Sequence, residues 1–257
     1  MKKILLSFLV LSVGVSSYAQ RNCSIHLSVD GLGVGAIDGT KENLWDIRQT
    51  FDSHSSYESD YLTSKSLIKY LSIKPEFRFS DKLSLYTGLQ YTYMRNCFLG
   101  EYENGFFYVR SNQNAEYETN LFRLKNIEET AGYLSIPIEV KYTPLRFQGF
   151  NFYGRLGLDF GVNVHSKRSA EFFQAEMQQY EADVLNIVPF SPNKLLVTTY
   201  VGIGMGYKFT NGVTLSADMP TVKRILTKKH SSIIKVDFLT GIQLSLSIPL
   251  INKESKE

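Results

Sequence analysis

The run Tyr70-Leu71-Ser72-Ile73-Lys74-Pro75-Glu76-Phe77-Arg78-Phe79 decides the fold. Leu71, Ile73, Pro75, Phe77 and Phe79 occupy every second position, and Tyr70, Ser72, Lys74, Glu76 and Arg78 fill the gaps. A period of two belongs to a strand, whose successive side chains point to opposite faces; a helix would mix the two sets around its turn. This segment therefore predicts a strand with one apolar face and one polar, charged face.

Working outward, the pattern recurs. Leu83, Leu85, Leu89, Tyr91 and Tyr93 oppose Ser84, Tyr86, Gly88, Gln90 and Thr92. Leu134, Ile136, Ile138, Val140 and Tyr142 oppose Tyr133, Ser135, Pro137, Glu139 and Lys141. Phe152 to Val164, Val197 to Phe209 and Ile234 to Ile248 read the same way, with Arg155, Asp159, Lys208 and Asp237 on their polar faces. Two less regular segments, Ser24 to Ile37 and Val213 to Met219, complete the set; the first changes register near Gly31 and the second is bulged at Pro220 and continued toward Leu226.

Eight strands result, and the connections between them alternate in length. Ser80-Asp81-Lys82, Pro144 to Phe150 and Thr210-Asn211-Gly212 are short, whereas 38–66, 98–130, 166–194 and 220–232 are long. Strict alternation predicts an eight-stranded antiparallel up-and-down transmembrane β-barrel, with short periplasmic turns and long extracellular loops. A soluble barrel also has one apolar and one polar face, so further signs are needed. Several segments run about 13 to 16 residues, against about 5–6 in an ordinary strand and about 9–11 in a tilted spanning one. Phe77, Phe79, Tyr142, Phe152, Tyr207 and Phe209 cluster beside the short turns, as an interfacial girdle would.

The polar faces carry balanced charge: Lys74, Arg78, Lys141, Arg155, Lys208 and Lys235 against Asp30, Glu76, Glu139, Asp159, Asp218 and Asp237. A narrow interior needs such pairing, because an unpaired buried ion costs several kcal/mol. Lys74, Glu76, Arg78, Glu139, Lys141, Arg155, Asp159 and Asp237 are the expected charge network of the lumen. With Tyr70, Tyr86, Tyr133 and Tyr153 also pointing inward, the interior is expected to be filled, with no open diffusion pore.

The amino terminus reads as an export signal. Met1-Lys2-Lys3 precedes the apolar run Ile4 to Val15 and the small-residue pattern Ser17-Tyr18-Ala19, so residues 1–19 are expected to be cleaved. The apolar run is about twelve residues, short of the roughly 20 of a spanning helix. Residues 20–257 then form one domain, since no Pro, Gly or Ser-rich linker divides them. Loss of Lys2 and Lys3 leaves 26 basic against 25 acidic residues, a balance that does not point to nucleic acid. Cys23 and Cys97 lack zinc-site spacing, and no cofactor or metal is expected. As the two lie at opposite ends of the barrel, no disulfide between them is expected.

His54 and His230, each followed by two serines, could assemble a nucleophile and base with Ser55 or Ser231 and Asp52 or Asp60, but no Gly-x-Ser-x-Gly motif supports catalysis. The outer loops are the better functional candidates, because a rigid scaffold presents binding residues on loops. Trp45, Tyr57 and Tyr61 fall on the first. Phe106, Phe107 and Tyr108 fall on the second, where Gly105 to Arg110 alternates enough to extend the sheet as a hairpin. Phe172 and Phe173 fall on the third, which reads as partly helical.

Tyr133-Leu134-Ser135-Ile136-Pro137-Ile138-Glu139-Val140-Lys141-Tyr142 resembles the Y-L-x-I-P strand, ending in K-Y, of PorT-like outer-membrane barrel proteins of Bacteroidota. The Tyr-Ala-Gln cleavage region and the Gly-Leu-Asp-Phe-Gly and Gly-Ile-Gly-Met-Gly-Tyr strands are similar too. One departure is the hydrophilic tail Asn252 to Glu257, where many such barrels end on an aromatic; it places the assembly signal within Phe238 to Leu250. The resemblance implies a non-enzymatic outer-membrane scaffold or binding protein, in contact with lipid and with an envelope or secretion-apparatus protein. A surface enzyme on lipid or peptide substrates, or a narrow solute channel, is the alternative.

Overall fold

The computed structural model describes residues 23–31, 62–100, 107–110, 121–187, 192–227, 231 and 238–249. Its strands are β1 (Cys23–Gly31), β2 (Leu62–Arg78), β3 (Leu83–Thr87), β4 (Leu89–Gly100), β5 (Phe107–Arg110), β6 (Leu121–Phe147), β7 (Phe150–Phe172), β8 (Leu195–Lys208), β9 (Thr214–Ile225) and β10 (Phe238–Pro249). A 3-10 segment, Ala175–Tyr180, and one short helix, α1 (Glu181–Ile187), lie between β7 and β8. None of the described helices is long and apolar enough to cross a membrane.

The fold is all-β, a single antiparallel sheet. From β6 through β10 each strand pairs with the next, and β10 pairs with β1. β1 also pairs with β2, so this one strand has neighbours on both sides. β2 in turn faces β3 and β4, which both pair with β6.

β3 and β4 hold one common register on either side of Gly88. Gly88 has φ +148°, and a Cβ there would lie 2.3 Å from the Ile73 carbonyl oxygen, so the strand crosses this close approach on a residue without a side chain. β5 pairs with β6 from Phe107↔Leu124 to Arg110↔Leu121, the hairpin extension expected around Gly105 to Arg110.

Burial divides the sheet by polarity in the reverse of an ordinary domain. Lys74, Glu139, Arg155, Asp159 and Asp218 are buried, as are Ser72, Gln90, Thr92, Ser135, Ser216 and Gln243. Leu71, Ile73, Leu134, Ile136, Leu156, Leu158, Val201, Ile203 and Leu244 are exposed. Phe79, Tyr142, Phe147, Phe150, Phe152, Tyr207 and Phe209 add exposed aromatics near the short turns. Tyr207 packs on Phe150 and Phe209 with ring centroids 4.9 and 5.0 Å apart.

The strands run past the expected boundaries. β2 starts at Leu62, β4 reaches Gly100, β6 starts at Leu121, β7 reaches Phe172 and β9 reaches Ile225. The connections expected at 98–130 and 166–194 are therefore shorter than the sequence suggests, while 32–61, 228–230 and 232–237 lie outside the described residues. Beyond the apolar band the pattern inverts: Ile68, Met94, Phe98, Leu124 and Phe172 form a buried apolar cluster, while Lys65, Arg95 and Lys167 are exposed. A register shift where Gly132 and Tyr133 meet His165 and Asn163 adds to this. Below it odd-numbered β7 residues such as Arg155 and Asp159 are buried; above it Ala170 and Phe172 are.

β9 carries the bulge expected at Pro220. Asp218 pairs with Gly204 and Thr221 with Gly202, so three steps on β9 match two on β8, and Asp218, Thr221 and Lys223 all face inward.

β7 also outruns β8, whose last partner to it is Leu195 opposite Val162. Side chains cover part of the edge left beyond. Glu181 accepts from the Ala170 N–H at 3.0 Å, the Gln178 amide donates to the Ala170 carbonyl at 2.9 Å, and Arg168 donates to the Leu185 carbonyl at 2.8 Å.

The expected signal peptide, Trp45, Tyr57, Tyr61, Phe106, His54, His230, Lys235 and Asp237 lie outside the described residues, as do the side chains of Cys23, His26, Asp30, Phe107 and Tyr108.

Candidate functional site

Alternation along β2, β6, β7 and β9 sends their charged residues to the same buried space, and register sets them at matching heights. Lys74 donates to Glu139, both buried. Arg155 stands between two acids, with Nη1 3.5 Å from Glu139 Oε2 and Nε 3.5 Å from Asp218 Oδ2. Tyr153 donates its hydroxyl to Asp218. The Arg155 guanidinium also sits 5.4 Å from the ring centroids of both Tyr86 and Tyr153. A charge held among carboxylates and aromatic faces recovers part of the solvation it gives up.

Farther from the short turns, Asp159 Oδ2 accepts from Lys223 at 2.9 Å, Thr198 at 3.0 Å and Gln90 at 3.2 Å. The Lys223 ammonium lies 3.5 Å from the centroid of Tyr70. Glycines make the room. A Cβ on Gly157 would be 2.3 Å from Tyr200 Cε1, and one on Gly204 would be 2.3 Å from Asp218 Oδ1. Each glycine stands where the neighbouring strand lays a large side chain across it.

Of the expected charge network, Lys74, Glu76, Glu139, Arg155 and Asp159 come together as a buried group. Arg78 does not: its side chain is 37% exposed at the short-turn end, where Nη2 donates to Glu76 at 3.1 Å. Lys141 is half-buried. Its ammonium donates to the Tyr86 hydroxyl at 3.3 Å and lies 4.4 Å from the Tyr153 ring centroid. No carboxylate lies within ion-pair distance of it among the described residues. Water reaches these rim positions, so pairing is not required of them.

The loop aromatics also divide. Phe172 belongs to β7 and is buried, its ring edge-on to Phe122 at 6.0 Å, so it packs the core instead of presenting a binding surface. Phe173 is half-buried beneath Arg123, whose guanidinium is 3.7 Å from the ring centroid. Ser231 donates to Glu129 at 2.7 Å.

Comparison with known proteins adds little to this geometry. No family model matches the chain, and no curated protein matches it. Among solved structures it is similar to a bacterial polysaccharide outer membrane secretin, at 8% identity and a TM-score of 0.25, covering 90% of this chain and 99% of that one. That degree of likeness transfers nothing from the secretin to this chain.

Asp218, Lys223, Tyr200 and Gln90 join the buried charges although they are absent from the expected network. Lys223 was hidden in a supposed loop, although its spacing from Thr221 and Ile225 continues the inward set once the bulge is counted. Gln90, which the alternation already puts on the polar face, and Tyr200 partner buried charges across the sheet; both are uncharged, so the charge pattern alone does not mark them. Among the described residues no group of three or more His, Cys, Asp or Glu is placed to hold a metal.

Proposed function

We propose that the chain is an eight-stranded transmembrane β-barrel of a bacterial outer membrane, non-enzymatic, acting as a scaffold or binding protein through its outer loops. The inverted burial carries this reading: ion pairs and hydroxyls lie inside, and a continuous band of Leu, Ile, Val and Phe lies outside. Water would penalise so large an apolar surface, whereas lipid accepts it.

Other features support the same reading. β1 pairs on both sides, so the run of pairings has no free edge. Counting β3 with β4 as one strand, and β5 as the arm of an outer hairpin, gives eight. The exposed aromatics beside the short turns suit the interfacial girdle of a spanning barrel. Inside, Tyr86, Tyr133, Tyr153 and Arg155 fill the middle and the apolar cluster fills the outer end, which favours a scaffold over a solute path.

On this reading β6 and β7 project beyond the bilayer as a rigid platform, and the proposed partner is an envelope protein, in keeping with the resemblance to PorT-like proteins. Mild crosslinking in the native membrane followed by purification tests this. A stoichiometric protein partner, lost when residues 101–120 are deleted, is the expected result. No partner, together with measurable lipid or peptide turnover, would overturn it.

A further inference from the structure

At the short-turn end the sheet encloses a cavity of about 270 Å³ whose lining differs from the rest of the buried face. Deeper in, cations meet acids: Lys74 with Glu139, Arg155 with Glu139 and Asp218, Lys223 with Asp159. Around the cavity stand Arg78, Lys141, Arg146 and Lys208, and the one acid, Glu76, is already engaged by Arg78. Among the described residues no carboxylate lies within 4 Å of Lys141, Arg146 or Lys208. Three positive charges therefore remain unneutralised around one small space.

Like charges gathered in this way repel one another, and an anion between them relieves the repulsion. Lys141 is held by the hydroxyl of the buried Tyr86 and the ring of the buried Tyr153, so its position is set before any ligand arrives. The hydroxyls of Thr143 and Ser247 supply neutral hydrogen-bonding groups on the walls.

We propose that this mouth is a binding site for a phosphate group. The free guanidinium fork of Arg146 and the two ammonium groups of Lys141 and Lys208 match the several oxygens of a dianionic phosphate better than a single carboxylate, and guanidinium pairs with phosphate through two parallel hydrogen bonds. Two sources share this chemistry. One is a soluble phosphate ester; the other is a lipid headgroup, since Arg146 adjoins the exposed Phe147 and shares the turn with the exposed Phe150. The site goes beyond the scaffold reading, because its geometry does not depend on what the outer loops bind.

The test uses the full chain refolded in an uncharged detergent. Glycerol 3-phosphate and inorganic phosphate are titrated by calorimetry, and phosphatidic acid is compared with phosphatidylcholine in nanodiscs by ³¹P line width. Saturable binding of either phosphate source, weakened at least tenfold in both K141Q and K208Q, is expected. Lys208 is exposed, so K208Q keeps the test valid if K141Q fails to fold. The soluble arm responding alone assigns a free ester, and the nanodisc arm alone assigns a headgroup. Absence of saturable binding in both arms, unchanged affinity in K208Q, or tighter binding of succinate than of phosphate would overturn the assignment.

Discussion

Lys223 on β9 and Asp159 on β7 meet at 2.9 Å, Nζ to Oδ2, with both side chains almost wholly buried. Removing one partner strands the other as an uncompensated charge, which typically costs about 3–5 kcal/mol. Lys223→Met is therefore expected to lower the urea midpoint of the detergent-folded protein strongly. Lys223→Met combined with Asp159→Leu recovers much of that loss, because neither ion remains. A Lys223→Met protein as stable as the parent would remove this pair from the account.

The exposed face gives a prediction of opposite sense. Leu158 is 41% exposed midway along the apolar stretch of β7. In lipid, Leu158→Arg is expected to cost about 2–4 kcal/mol, as charged groups do at the bilayer midplane. At a water-exposed site the same change would stay within about 0.5 kcal/mol. Unfolding titrations of both proteins in the same phospholipid vesicles separate the two.

Gly157 makes room for Tyr200, whose Cε1 would lie 2.3 Å from a Cβ at that position. Gly157→Val is expected to overpack the interior and cost about 1–3 kcal/mol. Adding Tyr200→Leu opens the space again, so the double variant is expected to be more stable than Gly157→Val alone. Additive losses in urea titrations would show that the two positions do not touch.

Much of this architecture was legible in the sequence, for a physical reason. Strand period two, read at Tyr70 to Phe79, fixes which residues share a face, and β6 and β7 repeat it through Tyr142 and Val164. Strand extent was not legible, because above the band the buried side turns apolar, as Ile68, Met94 and Phe98 show, and the contrast between faces disappears. Parity also fails at the β7 register shift, so Phe172 reads as a loop aromatic when it is a core residue. Lys141 read as one member of a balanced network. Its local sequence gives no sign that it lines a cavity, where a charge can stay unpaired.

Cys97 is only 6% exposed, on the part of β4 beyond the apolar band, where its partners in register are Lys65 and Glu128. Burial, assisted by the Glu128 carboxylate, pushes its thiol up to about 11. Little thiolate exists at neutral pH, and thiolate is the reactive form. Maleimide labelling of a Cys23→Ser protein is expected to be slow while folded and rapid in urea. Rapid labelling of the folded protein would place Cys97 at the surface.

Spin-label accessibility in reconstituted phospholipid bilayers tests the central claim, membrane insertion with the apolar face outward, most directly. Single cysteines are introduced at Ile136, Val201 and Leu244 on the exposed face and at Ser135 and Ser245 on the buried face, after replacing both native cysteines with serine. The account predicts that the first three labels collide freely with oxygen and hardly with a water-soluble nickel chelate, while the last two show little collision with either. Ready collision of the labels at Ile136, Val201 and Leu244 with the nickel chelate would place that face in water and contradict the account.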